Sequence, residues 1–198
     1  MQKFIPAIFS TLFLFFSACH NKEVKKVSQA HNTEETQSFF PVTEFLLGQL
    51  SEIESLPITP LKIVISGDKR DSLWLKKKDI RIFALPFLHP VIDSTSMQNF
   101  FTEKSYMDET INAITLSYDP KIKLPDSIKL NHWDVYIDPQ KNKVQRIYMV
   151  KEEMINGGSV ITQLTWKVNK WCSIRTIVQQ PKMAPEIKEE IMKWDFDD

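Results

Sequence analysis

His132, Asp134 and Tyr136 lie two residues apart in a stretch, 129–137, that reads as a β-strand. Residues two apart on a strand share a face, so these three polar groups line one side and Trp133, Val135 and Ile137 the other. A carboxylate beside a histidine orients the ring and raises its basicity, which suits a general base or a metal ligand. Either role needs a nucleophile or further ligands, and the sequence places none. The plainer account of the trio is a polar, half-wet sheet face, as antiparallel sheets often have. Of the other histidines, His89 precedes Pro90 in a loop, and His20 and His31 lie in a polar N-terminal stretch.

The rest of the chain carries few chemical motifs. Its 4 glycines are Gly48, Gly67, Gly157 and Gly158, too dispersed for a phosphate-binding loop, and no zinc, calcium or nucleophile-elbow pattern occurs. No catalytic residue, cofactor or metal is therefore assigned. The 5 tryptophans, Trp74, Trp133, Trp166, Trp171 and Trp194, suit core packing or the lining of an apolar cleft. Cys172, next to Trp171 in an apolar run, reads as a buried thiol. Asp195, Asp197 and Asp198 read as a solvated tail. With 25 basic and 25 acidic side chains, nothing argues for a nucleic-acid partner.

The elements that must position these residues follow from periodicity. Val42, Phe45, Leu46, Gln49, Leu50 and Ile53 recur at helical spacing, and residues 79–88 repeat the pattern with Ile80, Phe83, Ala84 and Phe87. Residues 61–66 and 71–75 read as strands joined around Gly67-Asp68, and 89–104 as loop with a helical turn near Met97. Six strand-like runs then follow: 110–118, 129–137, 144–151, 160–167, 171–178 and 187–194. Turn-forming residues separate them, including Asp138-Pro139, Asn156-Gly157-Gly158 and Asn169-Lys170. This order predicts one α+β domain over 38–198. Its expected architecture is a twisted antiparallel meander of about six strands, with two N-terminal helices packed mainly on one face.

The N-terminus has a different character. Met1-Gln2-Lys3 gives a short basic start, residues 4–16 are mostly apolar, and Ser17-Ala18 precede Cys19. That is the plan of a secretory signal peptide over 1–18. The sequence Phe16-Ser17-Ala18-Cys19 resembles the lipobox of bacterial lipoproteins, with Phe16 where Leu is usual. The resemblance implies a thioether-linked diacylglyceryl group on Cys19, cleavage before it and acylation, typically palmitate, of the new amine. Residues 20–37 are polar and aperiodic, as a tether of roughly 20–25 Å mean span would be.

The stretches 39–46, 56–62, 111–120 and 131–177 resemble a group of lipoproteins of unknown function from Bacteroidota-type bacteria. This implies a cell-envelope location and transfers no catalytic residue. His20 directly after the lipid site, rather than Asp, points to the outer membrane; the lack of a dense acidic run in the tether points to its periplasmic leaflet. The expected partners are the membrane, through the lipid, and an envelope protein. The expected role is a non-enzymatic binding or assembly protein. The alternatives are a carrier of a small apolar ligand or lipid and, third, an enzyme centred on His132 and Asp134.

Overall fold

The computed structural model describes residues 38–196, so Cys19, the signal peptide and the tether lie outside the described residues. Helix α1 spans Val42–Ser55 and buries Val42, Leu46, Leu50 and Ile53, the stripe the spacing predicts. Helix α2 spans Lys77–Leu88 and buries Ile80, Phe83, Ala84, Phe87 and Leu88. Arg81 in α2 forks onto the Glu54 carboxylate of α1 at 2.7 and 3.1 Å and ties the helices together.

The strands are β1 Leu61–Ser66, β2 Lys69–Trp74, β3 Phe101–Asp108, β4 Ala113–Pro120, β5 Leu130–Asp138, β6 Lys143–Ile155, β7 Gly158–Lys167, β8 Trp171–Gln179 and β9 Glu186–Lys193. They form a single nine-stranded sheet in the order β2-β1-β9-β8-β7-β6-β5-β4-β3. Every neighbouring pair is antiparallel. This overturns the expected six-stranded sheet behind two N-terminal helices. Among the described residues only α1 precedes the sheet; α2 follows the β1–β2 hairpin and carries the chain from one sheet edge to the other, where β3 begins the meander. The meander returns until β9 pairs with β1, Leu61 opposite Lys193 and Ser66 opposite Lys188.

Two features hid this arrangement. The β1–β9 pairing joins segments far apart in sequence. Strand β3, with residues 101–104 expected as loop, is an edge strand whose middle is exposed, so it lacks the apolar alternation that marks half-buried strands. Charges such as Glu103 and Lys104 on an edge also discourage pairing with another chain.

The hairpins follow local turn chemistry. Asn112, Asn142, Asn156 and Asn169 all have positive φ, the left-handed conformation that Asn tolerates better than most residues. Asn156-Gly157, with φ of 51° and 77°, closes the β6–β7 hairpin as a two-residue turn of primed type does.

Both helices lie on one face of the sheet, and the core fills the space between. Phe87 packs edge-on to Trp166 with ring centres 5.3 Å apart. Trp133 stacks on Tyr118 at 4.5 Å and meets Phe101 edge-on at 4.6 Å. Two register shifts serve this core. A bulge near Asn131 lets Leu130 and Trp133, three residues apart, both point inward; a second, opposite Tyr136/Ile137, does the same for Val144 and Ile147. Trp133, Trp166 and Trp194 are buried, Trp171 is half-buried, and Trp74 on edge strand β2 is 61% exposed. Cys172 is fully buried in the core, and burial pushes its thiol well up.

Lys151 also points to the helix side, and its ammonium donates to the carbonyls of Pro86 and His89 at the end of α2. A lysine there meets carbonyls that the helix leaves unpaired. Burial lowers its pKa to about 8. Lys151→Met should cost about 1–3 kcal/mol in urea unfolding, because two carbonyls lose their donor. An unchanged midpoint would show that water serves those carbonyls equally well.

Candidate functional site

Among the described residues, no helix lies on the opposite face of the sheet. Its side chains fall into rows that cross the strands. One row runs from Lys104 in β3 through Ser117, Asp134, Tyr148 and Thr165 to Ser173 in β8. A second contains Tyr136, Arg146, Lys167, Trp171 and Lys193. A third contains Glu152, Ile161, Ile177 and Ile187. The face is therefore polar and charged toward β3–β5 and aliphatic toward the free end of β7–β9, where Ile187 is 41% exposed.

The structure brings His132, Asp134 and Tyr136 together on this face. His132 Nε2 lies 3.1 Å from Asp134 Oδ2, and the Tyr136 hydroxyl donates to the same oxygen at 3.0 Å. The other ring nitrogen, Nδ1, lies 3.0 Å from Asp119 Oδ1, and Lys104 pairs with Asp119 Oδ2 at 3.0 Å. The result is a chain Lys104–Asp119–His132–Asp134–Tyr136. Arg146 lies over the Tyr136 ring, 3.9 Å from its centre, a cation–π contact.

Sequence reasoning missed Asp119 and Lys104. Asp119-Pro120 looks like the start of a turn, and only the β4–β5 register, with Tyr118 opposite Trp133, brings Asp119 beside His132. His89 does not join the group: it ends α2 on the other side of the sheet.

The electrostatics follow from the contacts. Hydrogen bonding to Asp134 raises the His132 pKa above its usual value, against burial, and Asp119 adds to the effect. Burial pushes the Asp134 carboxyl up, but hydrogen bonds from His132, Ser117 and Tyr136 outweigh it and leave it low. The Lys104 ammonium and His132 hold Asp119 low. Burial and the neighbouring Asp134 carboxylate push the Tyr136 phenol up to about 12.

A histidine with a carboxylate on each nitrogen is best satisfied as the imidazolium, which donates from both. That form has no lone pair, so the ring can act as a base only after giving up a proton that both carboxylates help it hold. No group of three or more His, Cys, Asp or Glu among the described residues could hold a metal ion. Clefts lie elsewhere. One of about 360 Å³ is lined by His89, Lys129, Lys151 and Thr162 at the end of α2. A more open one of about 980 Å³ lies between the β1–β2 hairpin and Arg175, Glu186 and Glu189. The network thus stiffens one end of a surface and does not line a cavity.

His132 should make stability pH-dependent. Its pKa is raised on folding, so its contribution is full below the unfolded value of about 6.5 and is lost as pH rises through the folded value. The stability difference between the wild-type chain and His132→Gln should therefore shrink as pH rises from 6 to 9. A difference that grows over that range would mean the ring is neutral in the folded state.

Comparison with family models, with curated proteins and with solved structures finds no match to this chain.

Proposed function

We propose that this chain is a lipid-anchored protein of the bacterial cell envelope, held through Cys19, that binds a partner without catalysis through the open face of its sheet. The observation that carries the binding role is that face: it lies opposite the helices and combines half-buried Ile161 and Ile177 with exposed Ile187 on β7–β9, and a preformed charged network toward β3–β5. Apolar side chains grouped on a surface favour a contact that removes them from water, at roughly 25 cal/mol per Å². The lipid anchor rests on Phe16-Ser17-Ala18-Cys19 and the apolar run before it. The expected location is the periplasmic leaflet of the outer membrane.

Two other roles have less support. A carrier needs an open apolar interior, and the helix–sheet interior is filled by Trp133, Trp166, Phe87 and Tyr118, each fully buried. An enzyme centred on His132 needs a free ring nitrogen, and both nitrogens face carboxylates.

Ile187→Asp tests the binding surface, with Ile82→Asp as control. Ile82 is 64% exposed on α2, on the helix side. Both variants should fold, because both positions are exposed. In intact cells, a crosslinked adduct formed by the wild-type chain should weaken at least tenfold in Ile187→Asp and persist in Ile82→Asp. An adduct lost only in Ile82→Asp would place the partner on the helices.

A further inference from the structure

The row through Tyr136 holds an arrangement that the network around His132 does not use. Arg146 and Lys167 are directly paired across β6 and β7, on the open face and half-buried. Neither forms an ion pair with a carboxylate among the described residues. Asp108, the carboxylate influenced by Arg146, spends its hydrogen bonds on Thr110 in its own turn. Burial lowers the Lys167 pKa, and the like charges of Arg146 and Lys170 lower it further. Two half-buried cations side by side repel each other, so an anion between them would relieve a cost already present in the fold.

Arg146 is also held in place. Its guanidinium lies over Tyr136 at 3.9 Å, and the Tyr136 hydroxyl is fixed by Asp134, which is fixed by His132. A guanidinium held over a ring keeps its planar fork in one orientation, and such a fork is suited to bidentate contact with an oxyanion. Trp171 stands next to Lys167 across β8 and flanks the pair on its other side.

We propose that Arg146 and Lys167 form an oxyanion-binding site on the open face, taking a phosphate or carboxylate group. The site deepens the reading of this face as a binding surface and rests on it. The chemistry can come from free phosphate or from acidic side chains of a bound protein. The network around His132 then acts as a support that orients Arg146 through Tyr136.

The test is calorimetric titration of the full chain, in neutral detergent at low salt, with inorganic phosphate and separately with tetraglutamate. Wild-type protein should saturate with at least one of them. Arg146→Gln and Lys167→Gln should each weaken that binding at least tenfold. Arg70→Gln, a cation on edge strand β2 of the same face, should change it less than twofold. Saturation by phosphate alone assigns the site to the free anion; at least tenfold tighter binding of tetraglutamate assigns it to an acidic protein segment. As a check independent of variant folding, the Trp171 indole resonance of the wild-type chain should shift on saturation while that of Trp133 stays. No saturation with either probe, or an equal loss in Arg70→Gln, would overturn the site. The crosslinking at Ile187 reports on the surface separately, so a lost oxyanion site with an intact Ile187-dependent adduct would leave the binding surface standing.

Discussion

Trp133→Ala is expected to lower the free energy of urea unfolding by about 3–5 kcal/mol, the range for truncating a large buried aromatic. Trp133 is fully buried in the middle of the sheet. It stacks on Tyr118, meets Phe101 and Phe39 edge-on, and so anchors the segment before α1 and the start of β3 to the meander. Its neighbour His132 points the other way and should cost far less. The His132 side chain is 28% exposed and the Asp119 partner 41% exposed, so solvent screens that pair, and His132→Ala should cost about 1 kcal/mol near pH 6. Measured side by side, the two variants test the assignment of faces in β5. A Trp133→Ala chain as stable as wild type, with His132→Ala severely destabilised, would contradict it.

Cys19→Ala should move the protein from the membrane fraction to the soluble fraction, or arrest it as an uncut precursor. The expected effect is close to complete. Each buried CH₂ of an acyl chain is worth about 0.8 kcal/mol, so two or three chains hold a protein essentially permanently, and losing all of them leaves only weak surface attraction. No helix among the described residues is long and apolar enough to cross a membrane. Cys19→Ala protein that stays membrane-bound with a normally cut terminus would sink the lipoprotein reading.

How much of this could be read from the sequence depended on how local the cause was. The helix stripes, the Asn-Gly turn at 156–157 and the placing of Trp133 and His132 on opposite faces follow from spacing within a few residues. Burial of Cys172 followed from its apolar setting. Three things did not show. Strand β3 is exposed along its middle and carries no alternation. The β1–β2 hairpin joins the sheet only through β9, a pairing across most of the described chain. Asp119, the second carboxylate on His132, and Lys104 behind it depend on cross-strand register, which one sequence does not reveal. The oxyanion pair was hidden for the same reason, since Arg146 and Lys167 meet only across β6 and β7.

The most direct test of binding through the open face is site-specific photocrosslinking in intact cells, with a benzophenone side chain placed at Ile187 in one protein and at Ile82 in another. Both positions are exposed, at 41% and 64%, and they lie on opposite sides of the sheet. The account predicts a discrete adduct of defined mass from Ile187 and none from Ile82. A discrete adduct from Ile82 with none from Ile187 would contradict it and put the binding surface on the helices.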